Sequence, residues 1–316
     1  MNANDLFLKF PEFNSNKKFE FNKPILFVGS CFSEDVASKA KYSGLNTHSN
    51  PLGTIYHPLV IQRFLSDILN ASASIERIVN FQNSYFSFDA AYHFQNDVEL
   101  DLLNELEIIR KSWLNLVKTA SHLFITFGSA WGYRHSESEI LVANCLKMPG
   151  KFFKKELSTK NEIVQSWLNV VLLLKEINPE LEICFTVSPV RHIRDGIIEN
   201  NRSKAILIES VHEIVEKANL KYIPTYEIVI DVLRDYRFFK EDMVHPSEAT
   251  VQIIWDWLSK KMVEEFALDA IKSIAKVRKA EAHKPINNLD DTYAMNRLKI
   301  ALEKERLSKI HPEINW

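Results

Sequence analysis

Short apolar runs alternate with longer helical patterns through most of the chain. The runs lie at residues 24–28, 85–88, 122–127, 181–187 and 222–224, and the one at 85–88 is the weakest. Between them, apolar residues recur at helical spacing at 34–42, 58–69, 99–119, 161–177 and 201–218. Continuous apolar runs are typical of strands buried on both faces of a parallel sheet. The alternation therefore predicts an α/β fold, a three-layer doubly wound sheet of about five mostly parallel strands.

A change of composition near residue 267 divides the chain into two predicted parts. Residues 1–266 carry the alternating pattern and end in a helix after Pro246, whose apolar face includes Trp255. Residues 267–316 are richer in Lys, Glu and Ala and end in a last helical pattern at 291–309. We predict that this C-terminal helical extension packs on the domain or forms a homodimer contact.

Composition restricts the partners and the compartment. Lys and Arg total 39 against 41 Asp and Glu, so the net charge of −2 favours neither nucleic acid nor an anionic membrane as a partner. No apolar run approaches the roughly 20 residues that span a bilayer, and no secretion signal is evident. The cysteines, Cys31, Cys145 and Cys184, lack CxxC spacing, and no phosphate-binding glycine motif follows the first run. We predict a cytoplasmic protein with no metal and no cofactor.

Two reactive side chains stand side by side where the first predicted strand ends. The stretch GSCFS at 29–33 places Ser30 and Cys31 between a strand and a helix. A nucleophile in such a turn is exposed above the sheet, and the positive end of the following helix favours a thiolate, which predicts a lowered thiol pKa. The alternative is a helix cap, with Ser33 as the capping residue and Cys31 as a small buried side chain.

A second motif, Asp242 and His245, lies in a turn that ends at Pro246. An aspartate three residues before a histidine can orient one imidazole nitrogen and leave the other to act as a base. The alternative is an exposed loop leading into a helix, because this spacing is common by chance. Together with the strand-end nucleophile, however, the motif predicts a catalytic pair at the carboxyl edge of the sheet.

These two motifs make the chain similar to the SGNH hydrolases, or GDSL esterases, whose first block reads GDSx and whose last reads DxxH. More closely, the chain resembles the GSCFA domain family, whose name-giving stretch stands here as GSCFS. Further segments resemble that family in consistent order: NPLGTIYHP at 50–58, FITFGSAWGYRH at 124–135, VANCLKMP at 142–149, FTVSPVRHIRDG at 185–196, ENNRSKAIL at 199–207, and YEIVIDVLRDYRFFKEDMVHPS at 226–247. The resemblance covers about residues 22–262 and implies a flavodoxin-like SGNH architecture.

The resemblance also implies catalytic roles. With Gly29 aligned to the glycine of GDS, Ser30 stands in place of the aspartate and Cys31 in place of the nucleophilic serine. Cys31 is thus the favoured nucleophile and Ser30 the alternative. His245 would remove the proton of the nucleophile and Asp242 would orient His245, a sensible arrangement for a cysteine.

An acyl-transfer site also needs donors for the developing oxyanion. The resemblance implies Gly53 and Gly128 for this role. The family's side-chain donor is an asparagine, but here its position holds Ala130 or Trp131. Asn144 is a replacement from a neighbouring segment, and its alternative role is to satisfy backbone groups in a turn.

Arg191 and His192 follow the predicted strand 181–187 and are expected at the same edge. A guanidinium there would bind a carboxylate or phosphate of the substrate. The alternative for Arg191 is a structural ion pair with one of the acids at 231–242. His192 is the alternative base to His245.

The expected activity is that of an esterase or acyltransferase acting on an ester or thioester through a covalent acyl intermediate. A carbohydrate O-acetyl group is one such substrate, and the expected partner is a small-molecule or carbohydrate ester. The alternative is a non-catalytic ligand-binding or scaffold protein that keeps the fold. The change from GDS to GSC and the absent asparagine both favour that alternative.

Overall fold

The strands form one central sheet and two small ones in the computed structural model, which describes residues 8–15, 17–70, 77–282, 291–314 and 316. In chain order they are β1 (Ile25–Gly29), β2 (Thr47–Ser49), β3 (Ile78–Phe81), β4 (Ser84–Ser87), β5 (Gln95–Asn96), β6 (His122–Phe127), β7 (Trp131–His135), β8 (Leu141–Val142), β9 (Phe153–Leu157), β10 (Glu182–Val187) and β11 (Lys221–Tyr222). The central sheet has the order β2-β1-β6-β10-β11, and every pair in it is parallel. This is the flavodoxin-like order, so the predicted doubly wound fold is confirmed.

Helices cover both faces of the central sheet. They are α1 (Cys31–Tyr42), α2 (Pro58–Leu69), α3 (Glu99–Thr119), α4 (Lys160–Ile177), α5 (Ile197–Ala218), α6 (Thr225–Glu227), α7 (Glu248–Met262), α8 (Glu265–Ala282) and α9 (Asp291–Ile310). Leu26 and Val28 of β1 pack with the apolar faces of α2, α3, α4 and α5. Ile25 and Phe27 point the other way, toward α1, α7 and α8. In the described part of the chain, no helix combines the length and apolarity needed to cross a membrane.

One of the predicted strands lies outside the central sheet. Of the predicted run 85–88, residues 85–87 fall in β4, which pairs antiparallel with β3 and β5 in a separate small sheet. The fifth central strand is instead β2, which the sequence analysis missed. It is an edge strand of three residues, Thr47, His48 and Ser49, and its polar side chains give no apolar run.

Two helices begin earlier than predicted. The first starts at Cys31, because Ser30 already has the extended backbone of a capping position, with φ −68° and ψ 166°. Ser33 is therefore not the cap: it lies inside α1, 2% exposed, and its hydroxyl has no partner in the described structure. Helix α5 likewise starts at Ile197, four residues before the predicted 201.

The C-terminal helices pack on the domain. Ile271 and Ile274 of α8 and Leu307 of α9 belong to the apolar cluster that also holds Phe27 and Val36. Helix α8 begins at Glu265, so the division predicted at 267 falls within its first turn. The homodimer contact predicted for this extension remains a prediction.

Candidate active site

The turn from β1 to α1 is held in place by the neighbouring strand. Gly29 has φ +126°, and a Cβ at this position would overlap the Thr126 carbonyl oxygen of β6, so only glycine fits. The next residue, Ser30, donates its backbone N–H to the same Thr126 oxygen at 3.2 Å. The side chains of Ser30 and Cys31 are thereby fixed at the carboxyl edge of the sheet.

Ser30 and Cys31 differ sharply in exposure. The Ser30 side chain is fully buried, and its hydroxyl has no hydrogen-bond partner within the described residues. Cys31 is only half-buried and begins α1. A substrate in solution can therefore approach the thiol, whereas the hydroxyl is enclosed.

The thiol of Cys31 lies in a mixed electrostatic environment. Burial and the neighbouring Asp35 carboxylate raise its pKa, while the N–H groups of Phe32 and Cys31 and the Tyr56 hydroxyl oppose that rise. The net direction is upward, so the lowered pKa predicted from the helix N-terminus is wrong: desolvation outweighs the helix end. Burial, and then Cys31 itself, raises the pKa of Tyr56 to about 12, so its hydroxyl remains a donor near neutral pH.

Asp242 and His245 form a hydrogen-bonded pair. Asp242 Oδ2 lies 2.7 Å from His245 Nδ1, and Asp242 Oδ1 accepts the N–H groups of Val244 at 2.9 Å and His245 at 3.0 Å. These hydrogen bonds hold the pKa of Asp242 at about 2, so it stays ionised. An ionised aspartate on Nδ1 leaves Nε2 as the nitrogen that can accept a proton.

Backbone contacts fix the turn that carries this pair. Lys240 N–H donates to the His245 carbonyl at 2.7 Å, and Met243, with φ +58°, donates its N–H to the Lys240 carbonyl at 2.9 Å. The turn is therefore closed by its own backbone hydrogen bonds. The preceding ion pair, between Arg237 and Asp235, is local and solvent-exposed.

A chain of neighbours joins the two motifs. The hydroxyl of Tyr56 contacts the Cys31 thiol, and the Tyr56 ring packs edge-on against His192 at 5.0 Å between centroids. Burial, Lys204 and then the charge of His245 lower the pKa of His192 to about 4. His245 also acts on Asp35, one turn along α1 from Cys31, by opposing the rise in pKa that burial causes there. No hydrogen bond joins His245 to Cys31 or to Ser30 within the described residues, so the two motifs lie at the same edge of the sheet and are linked through Tyr56 and His192.

Of the two histidines, His245 is the better placed base. His192 is largely buried, and its Nε2 has no partner in the part of the chain that the structure describes. Its backbone N–H donates to Asn200 Oδ1 at 2.9 Å, which fixes the backbone but not the ring. No aspartate of the described ranges hydrogen-bonds to its ring as Asp242 does to His245.

The predicted oxyanion donors are already engaged. Gly53 donates its N–H to the Asn50 carbonyl at 2.8 Å, and Gly128 donates its N–H to the Tyr56 carbonyl at 2.9 Å. The Gly53 amide thus closes a turn and the Gly128 amide joins the loop after β6 to Tyr56, while their roles as oxyanion donors remain predictions. The side-chain oxygen of Asn144 accepts the Leu146 N–H at 2.7 Å, which is the turn role that its alternative interpretation predicted. The amides directed at the thiol belong to Cys31 and Phe32.

A model of the GSCFA family matches residues 24–257. This chain belongs to the GSCFA family. The matched range starts at β1 and ends within α7, so it includes Cys31, Asp242 and His245 and leaves out α8 and α9.

Two solved structures to which the chain is similar come from bacteria. One, from Parabacteroides merdae, is described as a GDSL-like lipase: it is 13% identical with a TM-score of 0.41, and the match covers 78% of this chain and 99% of that one. The other is an acetyl xylan esterase from the rumen bacterium Butyrivibrio proteoclasticus: it is 10% identical with a TM-score of 0.41, and the match covers 80% of this chain and 65% of that one. No curated protein matches the chain.

Lys204 is a site residue of this GSCFA protein that the sequence analysis missed. It is 2% exposed, and its ammonium donates to the carbonyls of Gly128 and Ser188, each at 2.7 Å. Burial, assisted by Arg191, lowers its pKa to about 7, and the Cys31 thiolate opposes that fall. The sequence does carry a signal for this burial. Lys204 lies at helical spacing from Asn200 and Leu207, which are both buried, within the family-like stretch ENNRSKAIL.

Arg191 lies at the same edge without a structural ion pair. Its backbone N–H donates to the Val244 carbonyl at 3.2 Å, which ties the loop after β10 to the Asp242–His245 turn. Among the described residues, no acid lies within ion-pair distance of its guanidinium, which instead lines a cavity. The alternative of an ion pair with an acid at 231–242 is therefore wrong.

Potential metal ligands do not converge. Across the described ranges, no three His, Cys, Asp or Glu side chains are placed to share an ion.

Proposed function

We propose that this GSCFA protein is an esterase or acyltransferase that uses Cys31 as its nucleophile. The observation that carries the proposal is a half-buried Cys31 thiol at the same sheet edge as an imidazole that Asp242 orients at 2.7 Å. A buried serine hydroxyl beside an accessible thiol favours Cys31 over Ser30.

The first half-reaction forms a thioester. His245 Nε2 removes the thiol proton as Sγ attacks the ester carbonyl carbon, because the raised pKa of Cys31 keeps the resting thiol protonated. The carbon–oxygen bond to the alcohol then breaks, and the alcohol leaves with the proton held by His245. Asp242 stabilises the imidazolium that exists between these events.

The second half-reaction releases the acyl group. His245 removes a proton from water, or from an acceptor alcohol, whose oxygen attacks the thioester carbonyl. The carbon–sulfur bond breaks and the thiolate regains the proton, which restores the resting enzyme. In both halves, we assign stabilisation of the developing negative charge to the donors that also favour the thiolate, namely the N–H groups of Cys31 and Phe32 and the Tyr56 hydroxyl.

Hydrolysis of para-nitrophenyl acetate tests this proposal. We expect turnover by the wild type, its loss in Cys31→Ala and His245→Ala, and its retention in Ser30→Ala. The matched control is Cys145→Ala, which removes the other half-buried cysteine away from the catalytic pair. Equal slow rates in wild type and His245→Ala would refute the esterase proposal.

A second candidate function is non-catalytic ligand binding on the same fold. The observation that favours it is the upward direction of the Cys31 pKa, since a poised catalytic thiol commonly has a lowered one. Alkylation by iodoacetamide separates the two functions. A catalytic Cys31 reacts at a rate that falls in His245→Ala, whereas a structural Cys31 reacts slowly and equally in both proteins.

The family resemblance supports a carbohydrate O-acetyl group as a substrate of the proposed enzyme. Release of acetate from acetylated oligosaccharides, measured against the same Cys31→Ala variant, tests that choice.

A further inference from the structure

A cavity of about 520 Å³ opens beside the Asp242–His245 turn. Its walls come from the loop after β10, the start of α5, the π-helical turn Ile228–Val232 and the segment that follows, and Met243 completes them. Binding sites for small molecules are typically about 300–1,000 Å³. The cavity is therefore large enough for part of a substrate whose reacting group lies at His245.

The cavity lies next to segments that carry the candidate catalytic residues. Arg191 in its wall immediately precedes His192 and is hydrogen-bonded through its backbone to Val244. Met243, which also lines the cavity, lies within the turn that pairs Asp242 with His245. A molecule held in the cavity therefore contacts that turn through Met243.

Two guanidinium groups in the walls have no acidic partner. Neither Arg191 nor Arg234 forms an ion pair with another residue of the described structure. Two acids line the same walls. Asp235 forms an ion pair with Arg237 at 3.0 Å. Within the described residues, Asp231 is therefore the only carboxylate of the walls without an ion pair. Two guanidiniums against one carboxylate leave an excess of positive charge, which attracts an anion to the cavity.

The rest of the wall is apolar and unusually open to solvent. Ile193 is 46% exposed, Ile197 64% and Met243 50%, and all three contribute to the lining. Clustered exposure of large apolar side chains marks a surface that binds an apolar group. The cavity thus combines apolar contact area with two donors of planar, bidentate geometry.

We propose that this cavity is the subsite for an anionic group, a carboxylate or a phosphate, that the ester substrate carries on a short apolar stem. Arg191 and Arg234 bind the anion, and the isoleucines and Met243 contact the stem. The inference rests on the proposed esterase function and narrows its substrates from esters in general to acidic esters.

Matched pairs of esters test the subsite. On the acyl side the pair is para-nitrophenyl hemiglutarate and its methyl ester, and on the alcohol side it is para-acetoxybenzoate and its methyl ester. For at least one pair we expect the wild type to prefer the anionic member in kcat/KM by about ten-fold or more, as hydrogen bonds to a charged group allow. Arg191→Gln and Arg234→Gln should each reduce that ratio, chiefly by raising KM for the anionic ester.

Two further variants control for general effects. Arg194→Gln removes an exposed guanidinium of the same loop that does not line the cavity, and it should leave the ratio unchanged. Asp231→Asn removes the opposing carboxylate and should raise the ratio. Comparing inhibition by inorganic phosphate with that by glutarate distinguishes the two anions.

The subsite and the esterase proposal fail in different ways. If the wild type hydrolyses both members of each pair equally, or if the preference survives in both arginine variants, the subsite is refuted while Cys31-dependent turnover still stands. If no ester is hydrolysed, the esterase proposal fails, and calorimetric binding of glutarate decides the subsite: binding lost in Arg191→Gln supports it, and absent or unchanged binding overturns it.

Discussion

Lys204 should make the stability of this fold depend on pH in a way that a Lys204→Met variant does not. Burial lowers the pKa of its ammonium from 10.5 to about 7 in the folded protein. A lowering of that size corresponds to roughly 5 kcal/mol against the charged form. The side chain is 2% exposed, so solvent does little to screen this term.

The sign of the effect follows from proton binding. At pH values between the folded pKa, about 7, and the unfolded pKa, 10.5, the unfolded chain keeps a proton on Lys204 that the folded chain has lost. Stability therefore rises with pH across this window, and below it the folded state bears the full cost of the buried charge. From about pH 7 to pH 9 the contribution amounts to about 2–3 kcal/mol.

Urea unfolding followed by tryptophan fluorescence at several pH values from about 6 to 9 measures this contribution. Methionine also leaves the Gly128 and Ser188 carbonyls without their donor, which costs about 1–3 kcal/mol for each at every pH. The informative quantity is thus the change with pH of the stability difference between wild type and Lys204→Met. From about pH 7 to pH 9, this stability difference should grow by about 2–3 kcal/mol in favour of the wild type.

The control is Lys217→Met, which removes an exposed lysine of the same helix, and its stability difference should not change with pH. A difference that stays constant for Lys204→Met as well would show that Lys204 keeps its proton throughout, and the described effect of burial would be refuted.

Three further predictions concern separate parts of the site. Tyr56→Phe removes a hydroxyl that lowers the pKa of Cys31, so alkylation of the thiol by iodoacetamide should slow. Asp35→Asn removes a carboxylate that raises this pKa, so alkylation should accelerate. Rates that change in the same direction in both variants would contradict these effects on Cys31. Asp242→Asn should lower kcat for para-nitrophenyl acetate and leave KM nearly unchanged. Asp235→Asn should not lower kcat. Equal effects of the two variants on kcat would mean that the Asp242 hydrogen bond does not orient the base. Gly29→Ala should destabilise the fold by about 2–4 kcal/mol, because φ is +126° and the Thr126 carbonyl occupies the space of a Cβ. Urea unfolding measures this loss, and an unchanged unfolding midpoint would argue against that turn geometry.

Much of the fold was predictable because the buried face of a helix or strand requires apolar residues at a regular spacing in the sequence. The helices Pro58–Leu69 and Glu99–Thr119 begin and end where their apolar spacing predicts. Strand β2 left no such signal, since it is short, polar and at the sheet edge. Residues 85–88 do read as a strand, but nothing local distinguishes a hairpin strand from a central one. Pairing is decided by residues far away in the chain.

The candidate site was predictable only in part, for a related reason. The spacing of Asp242 and His245 is local, so their hydrogen bond could be anticipated. The environment of Cys31 depends on Tyr56 and Asp35, whose distances to the thiol are set by tertiary packing. Likewise, nothing in the sequence shows that the Gly53 amide is engaged within its own turn.

The identity of the nucleophile is the claim on which the proposed function depends most. Rapid quenching with para-nitrophenyl acetate, digestion in acid and tandem mass spectrometry locate the acyl group directly. We expect acetylation of Cys31 within the first turnover in the wild type, in Ser30→Ala and in Cys145→Ala. In His245→Ala the same acetylation should form much more slowly, because the base that removes the thiol proton is absent. An acetyl group on Ser30, or unchanged turnover by Cys31→Ala, would contradict the role assigned to the thiol.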